Sequence, residues 1–193
     1  MKYDFLVLGA DGVQGQIVTK YFLLKNYKIL CSDIYSANVR GVIKKYKSKK
    51  GRASFAYCDL RDIKGIIKLI KKSKAPIDVN CADMYFNINV YEASLAVRVH
   101  CVDLGSWIEL TLQQLRMDRK FRKIRRTAIT GCGSVPGIGN VMLAFASKKF
   151  DSLKSVDVGF AWNSNMRVFV QPFSIKSILE ELTYNPKIMN GGV

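Results

Sequence analysis

The chain has 193 residues, 49% of them hydrophobic, with 31 Lys and Arg against 15 Asp and Glu and a formal net charge of +16. That length suits one domain of ordinary size, or one domain and part of a second, and the apolar fraction is enough for a real core. No apolar run approaches the roughly 18 residues of a membrane span, and Met1-Lys2 leads directly into a strand with no cleavage site, so a cytoplasmic protein is expected, without anchor or secretion signal.

Residues 5–8 are an apolar strand that runs into Gly9-Ala10-Asp11-Gly12-Val13-Gln14-Gly15. An amphipathic helix follows from near Val13, and Tyr27–Asp33 closes as a second strand on an acid. This is the order of a dinucleotide-binding βαβ unit, although its spacing is G-x-x-G-x-x-G and not the commoner G-x-G-x-x-G. Gly9 allows the tight turn, Gly12 lets backbone approach a pyrophosphate, and Gly15 lets helix and sheet pack closely. The helix N-terminus at Val13 and Gln14 then faces the phosphates. Asp33 stands where a carboxylate accepts hydrogen bonds from the adenosine ribose hydroxyls, which favours NAD, with NADP possible. Asp11 is unexpected in a phosphate turn, and it must point to solvent or cap a helix.

The remaining elements alternate. A helix is predicted over 36–48, a strand over Ala53–Cys58 and a helix over 62–73, where Ile66, Ile67, Leu69 and Ile70 interleave with lysines. A strand over Ile77–Cys81, a helix over Phe86–Arg98, a strand over Val99–Asp103, a helix over Ser106–Met117 and a strand over Thr127–Gly131 follow. Pro136 and Gly137 open a last helix to Phe150, with proline near its first turn. The alternation predicts an α/β fold, a doubly wound parallel sheet of Rossmann type, whose ligands bind past the carboxyl ends of the strands.

That topology places further candidates. Asp59, after the third strand, either meets the adenine amine or, like Asp62, caps the next helix. Cys81 and Ala82, in the loop after the fourth strand, lie across the cofactor toward its nicotinamide ribose. Gly105 and Pro136 border the nicotinamide. Asp103, ending the fifth strand, is either the polar catalytic or substrate-orienting residue or a carboxylate that accepts backbone N–H groups in the turn before Trp107. His100, the single histidine, reads as a buried strand histidine before it reads as a general base. Five cysteines, an odd count without a C-x-x-C pair, suit reduced thiols; Cys31, Cys58, Cys81 and Cys101 read as small buried side chains, and no metal site is expected.

Most of the positive charge lies in residues 40–74 and 116–126. Neither stretch matches a nucleic-acid motif, so each reads as a solvated face rather than a specific nucleic-acid site.

Ile77-Asp78-Val79-Asn80-Cys81-Ala82, Asn87-Ile88-Asn89-Val90 with Val99-His100-Cys101-Val102-Asp103, and above all Gly131-Cys132-Gly133-Ser134-Val135-Pro136-Gly137-Ile138-Gly139-Asn140-Val141 resemble the saccharopine dehydrogenase (saccharopine reductase-like) family. The resemblance runs over about residues 3–162. It implies a Rossmann domain, here 1–150, followed by an α/β substrate domain of which 151–193 would be an incomplete start, with a strand at 155–162 and a helix at 173–182. It also implies a nicotinamide-dependent oxidoreductase acting on CH–NH bonds, which reduces the imine of an amine and an aldehyde or runs the reverse, on an amino-acid or imine substrate. The family usually has glycine where Asp11 stands and an apolar or proline residue near Asp83. A homo-oligomer is expected, since an incomplete second sheet leaves an apolar face exposed. The rival reading is a cofactor-binding or basic interaction module without turnover. If the basic faces are only solvated, NADH affinity changes modestly from low to physiological salt while any polyanion binding collapses; retention of duplex DNA with sequence preference at physiological salt would overturn that reading.

Overall fold

Strands that are apolar on both faces need helices on both sides, and parallel pairing supplies them through its crossovers. A computed structural model, which describes residues 2–46, 48, 52–105, 107–157, 159, 179, 182 and 183, has that arrangement. Strands β1 (Phe5–Leu8), β2 (Lys28–Asp33), β3 (Arg52–Tyr57), β4 (Ile77–Asn80), β5 (His100–Asp103) and β6 (Ala128–Ile129) form one parallel sheet in the order β3-β2-β1-β4-β5-β6. The helices are α1 (Val13–Leu24), α2 (Ala37–Tyr46), α3 (Ile63–Ser73), α4 (Asn87–Val97), α5 (Ile108–Leu115), α6 (Asp118–Lys123) and α7 (Ile138–Ser147). Strand order reverses between β1 and β4, where Leu8 is level with Ser32 on one side and Asn80 on the other.

Alternation along the strands divides the core. Leu6, Leu8 and Leu30 pack with Ile66, Leu69 and Ile70 of α3 and Val90 and Ala93 of α4. Val7, Ile29, Cys31 and Val79 pack on the other face with Leu23 of α1 and Val39 of α2. A third cluster joins Tyr91, Cys101, Met117 and Phe121. On α3 the buried Ile66, Leu69 and Ile70 are backed by exposed Lys64, Lys68, Lys71 and Lys72, the wet face expected of that lysine-rich stretch.

Three expectations need correction. The helix predicted over 106–117 is α5, shorter, and the basic stretch after it contains α6, whose Phe121 is buried while Arg122 pairs with Asp118 at 2.7 Å, one turn apart. Met117, Phe121 and Ile124 stand at helical spacing and pack in one cluster, but the seven basic residues among and beside them mask that stripe. Pro136 precedes the Gly137 N-cap and lies outside α7. Third, His100 is half-buried at the amino end of β5, and its Nδ1 accepts the Thr127 N–H at 3.0 Å.

The four strand cysteines are buried and Cys132 is exposed, all as free thiols. Burial pushes the thiols up, Cys31 to about 11 and Cys81 to about 12. The chain divides into two compact units, Met1–Val158 and Gly159–Val193. Of the strand expected at 155–162, the described residues 155–157 and 159 are not in a strand and the rest lie outside the described residues. The helix expected at 173–182 also lies mostly outside them, with Leu179, Leu182 and Thr183 helical. Among the described residues no helix is long and apolar enough to cross a membrane. Helix α7 has no buried residue, and Ile138, Val141, Met142 and Phe145 are exposed along it.

Asp78 lies in the middle of the sheet, fully buried, with Ser94 Oγ donating to Oδ2 at 2.9 Å and no partner on Oδ1. Desolvation raises its carboxyl to about 7, against a single opposing hydrogen bond. A carboxyl raised in the folded state holds its proton there while the unfolded chain has lost it, so stability falls between about pH 4 and pH 7 and is level above that. Asp78→Asn should therefore stabilise the protein by on the order of 1–3 kcal/mol at pH 8 and by much less near pH 4. Thermal melts of both proteins across that range measure it; a gain independent of pH would remove the carboxyl from the argument.

Candidate nucleotide-binding crevice

The carboxyl ends of β1 and β4 meet at the point where strand order reverses, and the turn between β1 and α1 is built to close approach. Gly9 has φ +69°, a left-handed value that a side chain disfavours, and a Cβ there would collide with the backbone and side chain of Ala82. Gly15 sits on Gly9, and a Cβ on it would strike the Gly9 carbonyl. These contacts press the first turn of α1 against the end of β1, and Cys81 N–H extends the pairing to Leu8 O at 2.9 Å. Gly12 differs. It is the N-cap of α1 with no side-chain acceptor, it is exposed, and a Cβ there would meet only the Gly9 carbonyl at 3.5 Å. The open space above Gly12 faces the first-turn N–H groups of Val13, Gln14 and Gly15, which have no acceptor within the helix. That cradle fits a pyrophosphate.

Asp33, at the end of β2, is half-buried and tightly oriented. Its Oδ1 accepts the N–H groups of Ile34 at 2.7 Å and Tyr35 at 3.3 Å, and its Oδ2 accepts Asp11 N–H at 3.0 Å. Asp11 is buried and neither reaches solvent nor caps α1. Its carboxylate accepts Val39 N–H at 2.8 Å and Asn38 Nδ2 at 3.0 Å, so it serves the start of α2. Nothing in the local spacing pairs residue 11 with residue 39; their approach follows from β1 and β2 lying side by side. Asp59 is gripped by Arg61, whose Nη2 lies 2.6 Å from Oδ2 and whose backbone N–H reaches Oδ1 at 2.9 Å. The guanidinium beside it draws the Asp59 carboxyl down to about 2. Asp62, at the α3 N-cap, makes no side-chain cap bond.

On the β4 side, Asn80 Nδ2 donates to Asn87 Oδ1 at 2.7 Å, Ala82 N–H donates to Asn80 Oδ1 at 3.2 Å, and Asn87 Nδ2 reaches Gly105 O at 3.4 Å. The Cys81 side chain belongs to the core, so this residue meets the crevice through its backbone.

A profile of the saccharopine dehydrogenase NADP binding domain matches residues 5–129. The chain belongs to that family. A carboxynorspermidine synthase of Vibrio cholerae is 29% identical over 125 residues, 59% of this chain and 30% of that protein. A carboxyaminopropylagmatine dehydrogenase of Synechocystis is 24% identical over 198 residues, 97% of this chain and 49% of that protein. The chain thus spans half or less of the length of these relatives. Among solved structures, saccharopine dehydrogenase (L-Glu forming) from Saccharomyces cerevisiae aligns with a TM-score of 0.63 at 16% identity, over 76% of this chain and 31% of its own. A metagenomic short-chain oxidoreductase in complex with NADP aligns with a TM-score of 0.53 at 14% identity, over 81% of this chain and 95% of its own. Both share the fold. Family membership makes residues 5–129 a domain of the nicotinamide-cofactor-binding kind.

In this family member Asp103 is 1% exposed and fully engaged. Oδ1 accepts Gly105 N–H at 2.7 Å, Gly131 N–H at 3.1 Å and Thr130 Oγ1 at 3.3 Å, while Oδ2 accepts Tyr91 OH at 2.7 Å and Gln114 Nε2 at 2.6 Å. Five donors, two of them backbone N–H groups, thus surround a carboxylate sealed from solvent. Burial and the Asp103 charge push the Tyr91 phenol far up, so it remains a donor. Gly105 and Pro136 lie together, a Cβ on Gly105 lying 2.9 Å from the Pro136 ring. Asp103 thereby locks the turn after β5 to the segment after β6.

A cavity of about 540 Å³ lies at the opposite end of the sheet, among Lys2, Lys71, Lys74, Arg98, His100 and Arg126. Lys74 and Arg98 are the C-caps of α3 and α4, where cations complement the negative ends of helices.

The glycines should separate by role. Gly9→Ala and Gly15→Ala should each cost about 1–3 kcal/mol, because backbone must shift to admit the methyl, whereas Gly12→Ala should melt within about 0.5 kcal/mol of the wild type. Thermal melts of the three variants check the order; a Gly12→Ala variant as destabilised as Gly15→Ala would mean that the cradle is not open.

Proposed function

We propose that the crevice binds NAD(H) and that the complete protein is an oxidoreductase acting on CH–NH bonds, reducing the imine of an amine and an aldehyde to a secondary amine or running the reverse. The observation that carries the cofactor half is the open space over Gly12, walled by first-turn N–H groups and placed beside Asp33 at the reversal of strand order. The CH–NH half rests on kinship with the carboxynorspermidine synthase and the carboxyaminopropylagmatine dehydrogenase.

The N–H groups of Val13, Gln14 and Gly15 would hold the pyrophosphate, and the outer lone pairs of Asp33 would take the ribose hydroxyls. Three N–H bonds hold Asp33 in place and leave room for a further acceptor interaction, since a carboxylate offers about four lone-pair sites. The Ala82 backbone, fixed through Asn80, would form the wall toward the nicotinamide ribose, and Gly105 with Pro136 would border the ring. The nicotinamide supplies the hydride. Asp103 acts here as a positioning residue, through the two segments it joins, and not as a proton donor to substrate.

The exposed apolar stripe of α7 supports self-association, because contiguous apolar surface of this kind is rarely left to solvent. The cations at helix C-termini support a solvated basic face and no specific nucleic-acid partner. Cytoplasmic location belongs to the same proposal.

Equilibrium titration followed by nicotinamide fluorescence tests the central reading. NADH should bind the wild type, and Gly12→Val should abolish binding while the melt is retained, because the side chain fills the cradle. Undiminished NADH binding by a folded Gly12→Val protein would sink the reading. Light scattering should give a particle larger than the 21.8 kDa chain; a strict monomer at micromolar concentration would contradict self-association.

A further inference from the structure

The Asp11 carboxylate is buried in the turn between β1 and α1: both of its oxygens are spent on the start of α2, and its own N–H is spent on Asp33. We infer that Asp11 is a second specificity-determining residue of the cofactor site, which together with Asp33 excludes a phosphate from the adenosine ribose 2′ position and so makes the chain select NAD(H) over NADP(H). This rests on the reading of the crevice as a nicotinamide-dinucleotide site.

A ribose 2′-phosphate beside the end of β2 needs donors, and two kinds are available in such folds: the N–H groups that open the following helix, or a nearby arginine. Here the first kind is taken. Val39 N–H and the Asn38 side-chain amide, at the start of α2, already donate to Asp11 at 2.8 Å and 3.0 Å. A phosphate arriving there would find a carboxylate in place of the donors. The second kind is diverted. Arg40 donates from Nε to Ser36 Oγ at 3.0 Å and its guanidinium rests over the Phe55 ring, 5.3 Å from the centroid. No lysine or arginine among the described residues forms an ion pair with Asp11 or Asp33, so their charges act on an incoming phosphate without a local counterion. Asp11 is 8% exposed, which limits screening by solvent and salt. Ribose hydroxyls carry no such penalty, since they donate to the carboxylates. The chain therefore departs from the cofactor in its family's name for a reason visible in two residues.

The test uses the full chain, titrated with NADH and with NADPH by nicotinamide fluorescence, as wild type, Asp11→Asn and Asp11→Ala. The wild type should prefer NADH. Asp11→Asn keeps an oxygen for Val39 N–H, with Asn38 turning its amide, and removes only the charge; NADPH affinity should rise roughly fivefold or more while NADH affinity stays within about twofold. Asp11→Ala also loses the brace on α2, and should lower the melt more than Asp11→Asn does. A role confined to bracing would weaken both cofactors together, so an unchanged NADPH to NADH ratio in Asp11→Asn overturns the inference, as does a wild type that binds NADPH as tightly as NADH. A folded wild type that binds neither cofactor overturns the reading of the crevice and this inference with it, whereas a wild type that binds NADH and an Asp11→Asn protein with the wild-type ratio overturn the inference alone.

Discussion

The whole crevice depends on how closely backbone approaches backbone where strand order reverses. Gly9 turns left-handed against Ala82, and Gly15 lies on the Gly9 carbonyl, so the end of β1, the loop after β4 and the first turn of α1 share a space that has no room for a Cβ. Once those three segments are pinned, the axis of α1 and the direction of its free N–H groups are set. At the exposed Gly12, by contrast, space is left over beside the first-turn N–H groups. A phosphate site made of peptide N–H groups needs no charged side chain, but it needs this geometry to hold in the absence of the ligand.

Two buried carboxylates show how the scaffold treats charge. Asp103 is surrounded by five donors, which come from β5, β6, α4 and α5 and their loops, so its charge is the means by which four elements are joined. Asp78, equally buried in the neighbouring strand, has only Ser94. The difference is one of position: Asp103 stands at the strand end, where turns present unpaired N–H groups, while Asp78 stands inside the sheet, where backbone groups are already paired to each other. A carboxylate at a strand end can organise a site, whereas one at mid-strand stays close to neutrality and costs stability when it ionises.

The sheet and its order of elements were legible because short apolar runs, glycine turns and helical stripes are local signals. The glycine turn and Asp33 were legible for the same reason, as they lie within one βαβ unit. Less was legible wherever the partner is distant in sequence. Asp11 serves Val39, Asp103 collects donors from residues 91 to 131, and neither bond leaves a mark on the residues around it. Helix α6 escaped because lysine and arginine interrupt the short stripe of Met117, Phe121 and Ile124 that packs by Tyr91. His100 looked buried because it starts an apolar strand, but the first residue of a strand lies at the rim of the sheet.

The excess of positive charge, taken alone, points toward polyanions, yet topology sorts it. In a doubly wound parallel sheet every crossover helix runs against the strands, so helix C-termini gather at the amino edge of the sheet and N-termini at the carboxyl edge. Lys71, Lys72 and Lys74 end α3, Lys44 and Lys45 end α2 and Arg98 caps α4, each at a negative helix end. Asp11, Asp33, Asp59, Asp83 and Asp103 follow β1 to β5 at the other edge or end them. Six of the 31 basic residues are therefore placed at helix C-termini away from the crevice, while five carboxylates stand at the strand ends that border it. An anionic cofactor entering it would be held by peptide dipoles against a background of carboxylates. On the proposal above, the pyrophosphate would sit on the α1 N-terminus, and any further phosphate beside Asp33 and Asp11 would be penalised.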